Sequence, residues 1–119
     1  MSEEKMDEDA VLCVSNSYQK KYYLNPEYEL LPTAVKQELQ VACVIFTEEV
    51  GGILTLYFED DGTLTIATSA REYDPAYDEI GAGLKVKALQ AEKRELFESL
   101  QTYYKVTVLG EPLPADDGD

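Results

Sequence analysis

The sequence predicts an α+β fold in which helices pack on a small antiparallel sheet, and three patterns carry that expectation. Residues 53–59 and 63–69 alternate in hydropathy on either side of Asp60-Asp61-Gly62, as the arms of a β-hairpin do. Residues 33–50 repeat apolar side chains at three- and four-residue spacing, the period of an amphipathic helix. Residues 75–104 form a second, longer helical pattern. The chain has 119 residues, enough for one domain that buries about two-thirds of its unfolded surface. That domain is placed at 10–110, between acidic tails at 1–9 and 111–119 that read as disordered.

Taken in order, residues 10–21 admit two readings. Val11, Val14 and Tyr18 fit one face of a helix that Asp9 would cap, and Val11 to Val14 fit a buried strand equally well. The helix is preferred. Tyr22-Tyr23-Leu24 is a short strand stopped by Asn25-Pro26, and a loop follows to Pro32. In the helix at 33–50, Thr33 is the expected N-cap and Gly51 the residue that ends it. Val35, Leu39, Ala42, Cys43, Phe46 and Val50 share one face. From Val41 to Phe46 the helix is apolar all round, which predicts burial on every side, inside the fold or at a subunit interface.

For the hairpin, a three-residue loop at Asp60–Gly62 sets Phe58 opposite Leu64 and Leu56 opposite Ile66, giving one continuous apolar face. Asp74-Pro75 is a helix-start signal. The pattern beyond it changes phase. Ala76, Tyr77, Ile80 and Leu84 share one face, which Ala88 and Ala91 extend with side chains small enough for a partner helix to approach closely. Val86, Leu89, Leu96, Phe97, Leu100, Tyr103 and Tyr104 centre about 160° away. Either the helix breaks near Gly81 and Gly83, each costing about 1 kcal/mol against Ala, or it is continuous and packs its two ends on different things. Val106 to Leu109 reads as a β-prone run that ends at Gly110.

The net charge of −14 is uneven. Each tail carries −4, residues 47–79 carry −8, residues 10–46 sum to zero, and residues 80–105 carry +2. Such a chain repels nucleic acid. No run of about 18 apolar residues is present, so no membrane span is expected. Cys13 and Cys43 lie in apolar surroundings and read as reduced core thiols of a cytoplasmic protein. The chain has no His and no CxxC, which argues against a zinc site.

The features with a chemical reading each have a plainer one. Aligning Gly62 with the sixth position of an EF-hand loop puts Tyr57 first and Thr68 twelfth, which rules calcium out there. Glu48, Glu49, the hairpin tip, Asp74, Asp78 and Glu79 would hold a hard cation if they converged; otherwise they are a solvated acidic surface. Paired carboxylates for glycoside hydrolysis lack a sugar-stacking Trp and a chain long enough for a cleft. Lys93 falls within an apolar stripe, where it is either a desolvated base or a stem that delivers its ammonium to water or a carboxylate. The nine tyrosines exceed what a core needs; half-buried core positions account for most of them, and an interface is the alternative. Gly51-Gly52 and Gly81-x-Gly83 fit no phosphate loop.

The segments FTEEVGGILTLYFEDDG (46–62), YDEIGAGLK (77–85) and KRELFESLQTYYKVTVLGE (93–111) resemble a family of short acidic proteins from anaerobic Gram-positive bacteria. The resemblance covers most of residues 10–111. That family has no assigned activity, so no functional residue carries over. It implies a bacterial cytosolic setting.

The sequence therefore assigns no catalytic, cofactor-binding or metal-binding residue. It reads first as a non-enzymatic module that forms a homodimer or binds an unidentified protein. An acidic mimic of nucleic acid that binds a basic protein is the second reading, and a small carboxylate-based metal-binding protein or enzyme the third.

Overall fold

The computed structural model describes residues 10–113. The tail at 1–9 and most of the one at 111–119 lie outside the described residues. Val11–Asn16 forms β1 and Lys21–Leu24 forms β2, followed by one 3-10 turn at Pro26–Tyr28. The helix α1 spans Thr33–Val50. The hairpin strands are β3, Ile53–Phe58, and β4, Leu64–Ser69. Two helices close the described chain, α2 at Glu79–Glu92 and α3 at Arg94–Thr107. The four strands form one antiparallel sheet in the order β2-β1-β3-β4.

The preferred helix at 10–21 is thus corrected to a strand, one that lies at the centre of the sheet. The ambiguity had a physical source. The β1–β3 register shifts between Val11 and Cys13, so the alternation is interrupted there and both Leu12 and Cys13 are fully buried. Beyond the bulge the period returns, with Ser15 buried and Val14 and Asn16 half-buried. The hairpin register is as expected, with Phe58 opposite Leu64 and Leu56 opposite Ile66. Glu59 N–H donates to the Thr63 carbonyl at 2.8 Å and closes the three-residue loop, with Gly62 at φ +92°.

One face of the sheet carries the core. Leu54, Leu56 and Phe58 alternate inward along β3, and Leu39, Cys43 and Phe46 of α1 meet them. The Ser15 and Thr47 hydroxyls bond each other at 2.8 Å and satisfy the polar atoms where β1 meets α1. From α3, Leu96, Phe97, Leu100 and Tyr104 complete the cluster. Phe58 stacks on Tyr104 with ring centroids 4.3 Å apart, and Tyr28 lies 5.7 Å from Phe58. Leu64, the first residue of the outer strand β4, gives its N–H to Gln101 Oε1 of α3 at 2.8 Å. The opposite face carries the row Tyr23, Val14, Thr55 and Ala67, exposed or half-buried.

Four boundaries differ from the sequence reading. Pro32, not Thr33, is the N-cap of α1, and no side chain caps that end. Asp74-Pro75 starts a turn, in which Asp74 accepts from Ala76 N–H, while Asp78 caps α2 by accepting from Ile80 N–H. The break in the long helical pattern falls at Lys93, not at Gly81–Gly83. The phase change falls inside α2, where Ile80 and Leu84 are exposed and Val86 and Leu89 pack on the core. Finally, Val106 and Thr107 stay helical, so the β-prone run adds no strand.

Cys13 and Cys43 are free thiols with sulfurs 3.9 Å apart. The buried Tyr22 hydroxyl has no conventional partner; the weakly accepting Cys13 thiol is its polar neighbour. The contact with Cys13 and burial push the Cys43 thiol well above its ordinary 9.0, and burial pushes the Tyr22 phenol well above 10.0. Unfolded, both groups lose protons near those ordinary values; folded, both keep them. Above pH 9 the native chain therefore binds more protons than the unfolded one, and stability falls as pH rises. The expected urea midpoint is flat from neutral pH to about 8.5 and declines above about 9. Cys43→Ala is expected to delay the onset by about one pH unit, to the Tyr22 range. A profile unchanged up to pH ~10.5 in the parent chain would refute this.

Candidate protein-interaction surface

Helices α1 and α2 run antiparallel, pinned at both ends by ion pairs. Lys93 Nζ lies 3.1 Å from Glu38, and Lys85 Nζ lies 3.1 Å from Glu49. Both pairs are solvent-accessible, so each stabilises by at most about 1 kcal/mol. Their effect is geometric: they hold the two helices on either side of a groove of about 680 Å³. Val41, Ala42, Ile45 and Phe46 of α1 and Ala88 and Leu89 of α2 make it apolar. From Ala34 to Glu49 the α1 wall is about 22 Å long at 1.5 Å per residue, or four helical turns.

Of the two settings expected for the apolar part of α1, burial inside the fold does not hold on every side. Leu39, Cys43 and Phe46 are buried, but Val41 is 56% exposed and Ile45 48%. On α2, Ala82 and Leu89 face inward, while Ile80 is 80% exposed and Leu84 65%. Of the first stripe read from the sequence, Ile80 and Leu84 lie on α2, while Ala76 and Tyr77 precede the helix. The Leu89, Leu96, Phe97 and Leu100 stripe faces the core, and the Ile80 and Leu84 stripe faces solvent in the single chain.

The other residues singled out do not converge. Lys93 is at the α2–α3 junction with its ammonium on Glu38, as in the plainer reading. The acids of 47–79 divide between opposite ends of the β3–β4 hairpin. Glu59, Asp60 and Asp61 flank its tip, whereas Glu48, Glu49 and the segment 72–79 adjoin the Ile53–Ser69 end, about 17–20 Å away for strands of this length. Several serve their own backbone. Asp61 accepts from Thr63 N–H at 2.9 Å, and that bond holds its carboxyl below the usual carboxylate range. Asp78 caps α2. Among the described residues no group of three or more Asp, Glu, Cys or His is placed to hold a metal. The tyrosines also scatter. Tyr28 and Tyr104 are core, Tyr23 is on the open sheet face, Tyr73 is 92% exposed in a loop, and none lines the groove.

One contact had no signal in the sequence. Tyr18 joins the β1–β2 loop to the segment after β4: its hydroxyl donates to Asp74 at 2.5 Å and accepts from Arg71 N–H at 3.0 Å, while the Arg71 guanidinium lies 4.1 Å over its ring. The partners are more than fifty residues apart. The Glu38–Lys93 and Glu49–Lys85 pairs were equally hidden, since they depend on how α1 and α2 meet.

No helix among the described residues is long and apolar enough to cross a membrane. A model described as a family of unknown function, DUF6145, matches residues 9–112. No curated protein and no solved structure matches the chain.

Proposed function

The chain belongs to that family of unknown function, and from this premise, which assigns no activity, we propose that it is a non-enzymatic interaction module whose α1–α2 groove receives an amphipathic helix. The observation that carries this is the exposure of Val41 and Ile45, which line the groove with Ala88 of α2. A helix binds such a groove through apolar anchors at three- and four-residue spacing, and the four-turn length fits that mode. The division of the acids between two ends of the hairpin favours this reading over a nucleic-acid mimic, which needs one continuous acidic face. The proposed setting is the bacterial cytosol, with the two free, buried thiols in support.

The test is site-specific photo-cross-linking in cells producing the full chain. A photoreactive phenylalanine analogue at position 45 is expected to give one discrete adduct. The same analogue at position 23, on the open sheet face, is the control and is expected to give none. Equal labelling from both positions, or no adduct from position 45, would sink the proposal.

A further inference from the structure

The chain has two cysteines, and the fold brings them together. Cys13 is on the central strand β1 and Cys43 is on α1, thirty residues along, with their sulfurs 3.9 Å apart. Both are free and buried. Beside Cys13 is the buried hydroxyl of Tyr22, which has no conventional partner. Tyr22 also lines a crevice of about 530 Å³ between the β1–β2 hairpin and α1, with Ser15, Lys20, Gln40 and Thr47. It thus adjoins both the crevice and the thiols, on an outer strand of only four residues. Packing alone does not ask for this arrangement, because two apolar side chains would fill the same space without stranding a phenol. A thiol accepts a hydrogen bond weakly. A thiolate, the form in which sulfur reacts, accepts one strongly.

We infer that Cys13 and Cys43 are a reversible dithiol–disulfide pair, a redox switch that fastens α1 to the centre of the sheet, with the Tyr22 hydroxyl steadying the attacking thiolate. The oxidant is a peroxide. The Cys13 thiolate attacks one oxygen of hydrogen peroxide and the O–O bond breaks. Cys13 becomes a sulfenic acid, and the departing hydroxide takes up the proton that Cys13 released. The Cys43 sulfur then attacks the sulfenic sulfur, the S–O bond breaks, and a second water leaves with the Cys43 proton. Two thiols and one peroxide give one disulfide and two waters, and two electrons pass from sulfur to oxygen. A thiol reductant reverses the bond by exchange. Cytosolic disulfides are mostly transient and redox-sensing, which agrees with the setting proposed above. A disulfide is about 2.05 Å long, so closing the contact draws α1 toward β1. Cys43 is two residues from both Val41 and Ile45, about 200° around the helix from each. The bond therefore forms on the side of α1 opposite the groove wall and fixes that wall at its middle. The inference does not depend on the docking reading and stands if the groove has no occupant.

The test uses the full chain, folded at neutral pH and exposed to hydrogen peroxide, then unfolded with iodoacetamide and weighed by mass spectrometry. The expected product is a monomer about 2 Da lighter that takes no alkyl group and that dithiothreitol returns to its starting mass. Its urea midpoint is expected to lie about 1–2 M above that of the reduced chain, since the bond closes a thirty-residue loop. Tyr22→Phe keeps the ring and removes the donor, and is expected to slow disulfide formation about tenfold. Two thiols that still take iodoacetamide overturn the inference. So do oxygen gained on either cysteine without the loss of mass, a cross-linked dimer, or an oxidised chain less stable than the reduced one. Formation at the parent rate in Tyr22→Phe removes Tyr22 from the mechanism.

Discussion

Phe58→Ala is expected to destabilise the chain by about 3–5 kcal/mol, the range for removing a large aromatic from a packed core. Phe58 is 3% exposed and closes the apolar row of β3 at its hairpin end. Its ring is stacked on Tyr104 of α3 at 4.3 Å and tilted against Tyr28 at 5.7 Å. Three separate parts of the chain thus meet on one side chain: the hairpin, the last helix and the turn before α1. The neighbours cannot easily fill the space, because Tyr28 and Tyr104 are rings held by their own backbones. Single domains are stable by about 5–15 kcal/mol, so the loss is a large fraction of the whole. With a urea slope of about 2 kcal/mol per M, the midpoint falls by about 2 M at fixed protein concentration. Tyr73→Ala is the control, since a side chain 92% exposed should matter by less than about 0.5 kcal/mol. A Phe58→Ala loss below about 1 kcal/mol would mean that the aromatic cluster is not packed as described.

The second large effect separates two adjacent glycines. Gly51 has φ +83° and ψ −171°, a combination that essentially only glycine adopts, and it ends α1. Gly52 has φ +71°. Both have positive φ, and alanine at either is expected to cost about 1–3 kcal/mol. Their surroundings differ. A Cβ at position 51 meets nothing within 4 Å, whereas at position 52 it would lie 2.5 Å from the Ser69 carbonyl oxygen and 2.8 Å from Tyr77. Ser69 is paired with Ile53 in the sheet, and its backbone cannot move without parting β3 from β4. Gly52→Ala is therefore expected to exceed Gly51→Ala by about 1–3 kcal/mol, the cost of overpacking. Equal urea midpoints for the two variants would contradict this close approach.

The sequence made some of this legible, for reasons that can be stated residue by residue. The β3–β4 register followed from Leu54, Leu56, Phe58, Leu64 and Ile66 because only one loop length puts them on one face. The opposed faces of α2 followed from spacing, with Ile80 and Leu84 on the exposed one, although Ala76 and Tyr77, assigned to the same stripe, precede the helix. What stayed hidden depended on contacts between distant segments. β1 was unreadable because its bulge sets Leu12 beside Cys13 and removes the period-two signal. The α2–α3 break at Lys93 has no Gly or Pro to announce it. The exposure of Val41 and Ile45 could not be read either, because hydropathy reports what a side chain prefers, not whether one chain has enough surface to cover it. The exposed face of α2 was thus visible in advance; the groove that forms the candidate surface was not.

The bond from Gln101 to the Leu64 N–H has a consequence for how assemblies of this protein would grow. β4 is an outer strand, and an unoccupied outer strand is a template on which further strands can add without limit. Here a side chain from α3 occupies the position that an incoming strand would need first. At the other border β2 is only four residues long and begins with Lys21, which offers a newcomer little backbone and a charge to bury. Both borders are blunted, so the sheet offers an incoming strand little to pair with. Losing the Gln101 amide would leave the fold standing and open a route to fibres.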